Sequence, residues 1–275
     1  MAHPIIAFIG AGNMSSTIIG GLVAKGYPPT NIIATATRQA SLDKLLALVP
    51  VTTTLDNEAA IAKADVVVLG VKPQAMKSVC LQLAPAIQAK QPLVISLAAG
   101  LMIASFEDWL GAGLAIVRCM PNTPSLVQCG ASGLFANTAV TEAQKTIATD
   151  MMQAVGITLW VDAEEDINAV TAVSGSGPAY YFLVMEAMQA AGEQLGLSPN
   201  VAKQLTLQTA LGAATMASQS DVAADELRRR VTSPGGTTEQ AILSLQADGL
   251  EAMFAKAMTA CRDRAKVMAK EMAGE

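Results

Sequence analysis

Aromatic side chains are scarce, at 4% of the 275 residues, although apolar residues make up 52%. The apolar mass is therefore aliphatic and rich in Ala and Met, which favours close-packed helices. Histidine is nearly absent: His3 is the single one, ahead of the first apolar run, and reads as a tail residue. The four cysteines (Cys80, Cys119, Cys129, Cys261) lack metal-ligand spacing, so no metal site is expected. No charged stretch followed by an apolar core marks an export signal, so a cytoplasmic chain with reduced thiols is expected. Basic runs are missing apart from Arg228-Arg229-Arg230, and the net charge is −5, which argues against a nucleic-acid partner. The most apolar charge-free window, Gln91 to Phe106, is too short for a bilayer span of about 20 residues, so no membrane partner is expected.

What is present begins with Ile5-Ile6-Ala7-Phe8-Ile9-Gly10-Ala11-Gly12-Asn13-Met14-Ser15. An apolar run ends in a glycine pair, and helical spacing follows at Ile18, Ile19, Leu22 and Val23. Gly10 permits a tight turn, and Gly12 lets backbone approach a pyrophosphate with no Cβ in the way. The helix start offers free N–H groups and a positive dipole end. Gly10, Ala11, Gly12, Asn13 and Met14 are thus candidates to hold a dinucleotide. A purely structural strand-to-helix turn is the alternative, because the third small position is Ser15 rather than Gly or Ala.

Strands and helices then alternate. Apolar runs at 31–36, 51–53, 65–71, 93–97, 115–118 and 157–161 read as strands, with helices over 41–48, 58–62 and 141–155. Runs apolar on both faces imply a parallel sheet covered on two sides. Residues 1–161 are expected to form a doubly wound, Rossmann-type sheet. From Asp162 onward the periodicity is helical: 167–173, 179–195, 198–217, 224–231, 237–245 and 250–272, with Ser198-Pro199 and Thr237-Thr238-Glu239 as starts and Gly196 and Gly249 as a stop and a junction. Nine of the fourteen methionines fall after residue 150, consistent with an adaptable apolar surface in an all-helical domain over 162–275.

An NAD-preferring site carries Asp or Glu at the end of the second strand. Here that place reads Ala34-Thr35-Ala36-Thr37-Arg38. Hydroxyls and a guanidinium suit a 2′-phosphate, so Thr35 and Arg38 point to NADPH, with weaker use of NADH; a solvated helix-start arginine is the alternative. Asn57, Val71-Lys72-Pro73 and Ala98-Ala99-Gly100 lie at further strand ends, where such sheets hold ligands. Arg118-Cys119-Met120-Pro121-Asn122-Thr123-Pro124 forms a proline-stiffened loop of the same kind.

In the second half, Val231-Thr232-Ser233-Pro234-Gly235-Gly236-Thr237-Thr238-Glu239 lies between two helices. N–H groups at the following helix start would bind a carboxylate, helped by the hydroxyls of Ser233 and Thr238. A plain interhelical turn capped by Thr237 is the simpler reading from spacing alone. Ser174-Gly175-Ser176-Gly177-Pro178-Ala179-Tyr180 permits a close approach of another element.

The glycine motif, Gly70-Val71-Lys72-Pro73, Arg118–Pro124, Ser174–Tyr180 and Ser233-Pro234-Gly235-Gly236-Thr237-Thr238, in this order, resemble the pyrroline-5-carboxylate reductases. The resemblance implies NADPH-dependent reduction of 1-pyrroline-5-carboxylate to L-proline, the last step of proline biosynthesis. It implies a helical dimerisation domain that interlocks two subunits, with dimers assembling into rings such as a decamer. It places the substrate on Val231, Ser233, Gly235, Gly236, Thr237 and Thr238, with Thr238 and Ser233 as the catalytic pair, and the carboxylate on N–H groups near Gly235, Gly236 and Thr237. The nucleotide clamp and this carboxylate pocket are expected to face each other across a cleft. Ser15 departs from the family's usual Gly or Ala and is expected to loosen the contact of helix with strand. A threonine is a poor acid alone, so the imine is expected to arrive protonated or to take its proton from water. A hydroxyacid dehydrogenase would need a lysine between Ala179 and Gln189, and there is none. The rival of another class is a non-catalytic NADPH sensor.

Overall fold

The computed structural model describes residues 3–273. These fall into two compact units: one holds the described residues up to Ser176 and those from Cys261 on, the other Gly177–Ala260.

The first unit is one eight-stranded sheet with helices. β1 (Ile6–Ile9) leads into α1 (Asn13–Ala24), β2 (Ile32–Thr35) into α2 (Gln39–Leu46), β3 (Thr52–Thr54) into α3 (Asn57–Ile61), and β4 (Val66–Leu69) into α4 (Pro73–Lys90). Then come β5 (Leu93–Ser96), α5 (Ile103–Leu110), β6 (Ile116–Met120), β7 (Gly130–Ala136), α6 (Glu142–Gln153), β8 (Gly156–Trp160) and α7 (Asp166–Val170). The strand order is β3-β2-β1-β4-β5-β6-β7-β8. Ile6 of β1 pairs with Ile32 on one side and Val66 on the other. Strand order reverses at β1 and β4, the place where open α/β sheets hold ligands.

β1, β2, β4 and β5 are buried along their whole length. Alternate residues of a strand point to opposite faces. Accordingly Ile6 and Phe8 join Ile18, Leu22 and Met151 in one apolar cluster, while Ala7 and Ile9 join Met76, Leu83 and Phe106 in a second. Helices cover both faces, which is why these strands read as continuous apolar runs.

The sheet is parallel as expected, except at one pairing. β7 runs antiparallel to β6, with Val117 opposite Ala136, and parallel to β8. Its sequence, Gly-Ala-Ser-Gly-Leu-Phe-Ala, contains no β-branched residue, so no strand pattern marks it. Crowding by the preceding turn and by α7 selects its glycines. A Cβ on Gly130 would lie 2.3 Å from Ser125 Oγ, and one on Gly133 would lie 2.6 Å from Val170 Cγ1. Residues 73–90 and 103–110, left without an element by the sequence, are α4 and α5. Met76, Cys80, Leu83 and Ile87 form the buried stripe of α4, and Pro73 occupies its first turn.

In the second unit the elements are α8 (Gly177–Gln194), α9 (Pro199–Ser218), α10 (Ala224–Arg230), α11 (Thr237–Ala247) and the first part of α12 (Leu250–Ala273). No strand follows Trp160 among the described residues. Ser198 stands at the N-cap position of α9 with Pro199 first in the helix. Gly196 and Gly249 adopt left-handed φ values of 98° and 77°, which stop α8 and separate α11 from α12. α7 passes into a π-helical turn at Thr171–Gly175. A Cβ on Gly175 would lie 2.6 Å from Met120 Cε, so the small residue there does admit another element.

Candidate active site

The glycine turn is held from below by Thr35. The Thr35 hydroxyl donates to Phe8 O at 3.3 Å and accepts from Gly10 N at 3.4 Å, while Ala11 N donates to Thr35 O at 2.7 Å. Gly10 needs to be glycine for reasons inside the chain: φ is 98°, and a Cβ would lie 2.9 Å from Val71 Cγ1. Gly12 is different. Its φ of −79° and ψ of 178° suit any residue, and a Cβ would touch only Gly70 O, at an ordinary 3.7 Å. Nothing in the fold requires Gly12 to lack a side chain.

Gly12 is the N-cap of α1, no side chain caps it, and no acidic residue stands in the first turn. The amides at the start of α1 therefore have no intrahelical acceptor, and the positive end of the helix dipole has no counter-charge in its first turn. Ser15 is fully buried beneath this turn, its Oγ without a hydrogen-bond partner among the described residues. Gly70 makes the room, since a Cβ there would lie 2.1 Å from Ser15 Oγ. The Ser15 side chain thus packs against Gly70, just past the end of β4.

Around the turn, Arg38 is exposed at the N-cap position of α2. Asn57 is half-buried as the first residue of α3, where Asp56 caps Ala59 N at 3.0 Å. Val71 lies half-buried beside Gly10, exposed Lys72 is the N-cap residue of α4, and Pro73 is first in that helix. Gly100 has a left-handed φ of 74° and is covered by the last turns of α12, where a Cβ would lie 2.7 Å from Met272 Cε.

In the middle of β6, Arg118 is almost wholly enclosed. Its Nη1 lies 3.3 Å from Glu164 Oε1 and 3.1 Å from Met102 Sδ, and Ile103 N donates to the same Glu164 oxygen at 2.7 Å. Burial lowers the Arg118 pKa, and Glu164 opposes that shift. Asn122 donates to Ser174 O at 3.0 Å and accepts from Ala131 N at 2.9 Å, so the proline-bounded loop is tied to β7 and to the π turn.

In the second unit, the turn after α10 is closed by its own groups. Gly236 N donates to Ser233 O at 2.9 Å, and Gly235 N donates to Glu239 Oε2 at 2.7 Å. Gly235 has φ 72°, and a Cβ on Gly236 would lie 2.9 Å from Ser233 O, so both glycines are demanded by the turn itself. α11 begins at Thr237 with Gly236, not Thr237, as its N-cap, and no side chain caps it. Val231, Ser233, Thr237 and Thr238 are exposed. Among the described residues no cluster of His, Cys, Asp and Glu could hold a metal ion.

Comparison with known proteins bears on both halves. A family model described as pyrroline-5-carboxylate reductase dimerisation matches residues 164–268, and one described as NADP oxidoreductase, coenzyme F420-dependent, matches 5–100. Pyrroline-5-carboxylate reductase of Pseudomonas aeruginosa is 54% identical over 272 residues, covering 99% of each chain. The chain belongs to the pyrroline-5-carboxylate reductase family. A Coxiella burnetii pyrroline-5-carboxylate reductase structure superposes with a TM-score of 0.95 at 49% identity, covering 98% of this chain and 100% of that one. A Plasmodium falciparum pyrroline carboxylate reductase structure with NADP bound gives 0.83 at 29% identity, covering 98% and 99%.

For a reductase of this family, three site expectations change. Thr35 is sealed in the sheet, so it supports the turn and offers no surface to a nucleotide. Gly100 and Ala98 are buried, the glycine under α12, which leaves Ala99 as the member of that trio with accessible surface. The N–H groups of Gly235 and Gly236 are already engaged, so the amides left for a reductase substrate are those at the start of α11. Glu239 was not among the expected site residues. Its place as third residue of α11, where Glu commonly reaches back to an N-terminal amide, was the available signal.

Proposed function

We propose that this chain catalyses the NADPH-dependent reduction of 1-pyrroline-5-carboxylate to L-proline, the last step of proline biosynthesis. The observation that carries the cofactor half is Gly12, a glycine with no internal reason to be one, at an uncapped helix start. The pyrophosphate sits on the first-turn amides of α1, beside Gly10, Ala11, Asn13 and Met14. Arg38 takes the 2′-phosphate and accounts for a preference for NADPH over NADH. Lys72, Val71, Pro73, Asn57 and Ala99 border the nucleotide.

When bound, NADPH supplies the hydride. The residues of this chain orient the imine to receive it. The substrate carboxylate rests on the N–H groups of Thr237 and Thr238 at the start of α11, with the Ser233 hydroxyl beside it. The Thr238 hydroxyl hydrogen-bonds the ring nitrogen. As the ring C=N bond is reduced, its π electrons settle on nitrogen, which retains the proton of the iminium form or takes one from water. No histidine or lysine is needed for that step.

We further assign residues 1–161 to nucleotide binding and 162–275 to the substrate and to dimerisation, place the enzyme in the cytoplasm, and expect dimers that build a ring such as a decamer. Bare apolar side chains on α8 (Tyr181, Phe182, Leu183) support burial against a second copy. No described helix is long and apolar enough to cross a membrane.

The test is NADPH oxidation, followed by absorbance, with pyrroline-5-carboxylate as substrate. Turnover that is faster with NADPH than with NADH supports the reading; NADPH binding without turnover favours the sensor.

A further inference from the structure

Glu239 is the third residue of α11, and its carboxylate accepts the N–H of Gly235, four residues earlier, at 2.7 Å. The usual reciprocal cap joins a third-position Glu to the N-cap amide. Here the N-cap is Gly236, whose amide is taken by Ser233 O at 2.9 Å, and Glu239 reaches one residue further back. Gly235 lies in the left-handed region, at φ 72°, and no other residue crowds it, because nothing stands within 4 Å of where its Cβ would be. Glycine is the residue whose backbone is least restricted by its own side chain. Besides the Gly236 N–H bond to Ser233 O, the Glu239 carboxylate is the contact that holds Gly235.

We infer that Glu239 is a positioning residue for substrate binding. It holds the Ser233–Gly236 turn closed so that the Thr237 and Thr238 amides and hydroxyls present one carboxylate seat. This rests on the proposed reading of that loop as the substrate's carboxylate site. Its charge acts in the opposite direction, because a fixed anion at the same helix end repels an arriving carboxylate. Reach and charge can therefore be separated. Glu239→Gln keeps an acceptor at the same reach and removes the charge. Glu239→Asp keeps the charge and loses the reach. Glu239→Ala loses both.

The experiment is steady-state kinetics on the whole enzyme with pyrroline-5-carboxylate and NADPH, for these three variants and Thr238→Ala. The expected result is a substrate KM raised about tenfold in Glu239→Ala and Glu239→Asp, with kcat within about twofold of the parent. The KM for NADPH stays unchanged, and Glu239→Gln has a substrate KM at or below the parent value. Parent-like KM in all three Glu239 variants, with turnover lost in Thr238→Ala, overturns this inference and leaves the loop assignment standing. Parent-like kinetics in all four variants overturns the loop assignment as well. A Glu239→Gln substrate KM as high as that of Glu239→Ala also overturns the inference, because the acceptor at full reach would then hold nothing in place.

Discussion

At the scale of single residues, the two glycines of the first turn make opposite predictions. Gly10→Ala forces a Cβ to 2.9 Å from Val71 Cγ1 at φ 98°, so it should lower stability by about 1–3 kcal/mol. Gly12→Ala meets only an ordinary contact at 3.7 Å, so its melting temperature should stay near the parent's. Its KM for NADPH should nevertheless rise at least about tenfold, because the added methyl stands where the pyrophosphate approaches. Thermal melts and cofactor titrations on the two variants check this directly; equal cofactor affinity in Gly12→Ala would remove the external reason for that glycine. The buried Arg118–Glu164 pair gives a second residue-level prediction. Glu164→Gln leaves a guanidinium enclosed without its counter-charge and takes the acceptor of Ile103 N down to a neutral oxygen, so it should cost about 3 kcal/mol in denaturant unfolding. Thiol chemistry follows burial: Cys80, pushed up to about 12 by burial, and Cys119, pushed up as well, should resist alkylation in the native protein, whereas exposed Cys129 should react first.

At the scale of elements, α10 carries its own electrostatics. Glu226 accepts from Arg229 Nε at 2.6 Å and Nη2 at 2.7 Å, and from Arg230 Nε at 2.8 Å. The hydrogen bonds from Arg229 and then Arg230 lower its pKa to about 2. A folded-state value below the unfolded one means that the contribution is fully present above the ordinary carboxylate range of about 4.3 and is lost as the pH falls through about 2. Carboxyl NMR across that range should place the Glu226 midpoint near 2 at low salt, moving upward at high salt as the surface pairs are screened. α11 shows the converse arrangement: an uncapped start whose nearest acid, Glu239, is spent on Gly235, which keeps the next amides available.

At the scale of the whole molecule, the helical unit leaves many large apolar side chains exposed. Tyr181, Phe182 and Leu183 are consecutive and each is more than 60% exposed, and Leu205, Leu211 and Met253 add to the bare surface. Bare apolar side chains gathered on neighbouring helices mark an interface between proteins. The family model covering residues 164–268 is a dimerisation model, so light scattering at micromolar concentration should show dimers or larger species and no monomer. Replacing Phe182 and Leu183 by Glu should release monomers if that face is the one buried.

What the sequence by itself determined was whatever depends on near neighbours or on periodicity. The runs of β1, β2, β4 and β5 are legible because strands buried on both faces must be apolar throughout. The stops at Gly196 and Gly249 are legible because a left-handed residue needs glycine. The Ser233–Thr238 turn is legible because its glycines answer to its own backbone. Tertiary structure alone decided the antiparallel course of β7, whose Gly133 answers to Val170 of α7. It alone turned Thr35 inward to brace the dinucleotide turn, and it alone laid the last turns of α12 over Gly100. In each of these cases the controlling partner is remote in sequence, and no local pattern of residue types records which distant atoms will fill the space beside a given one.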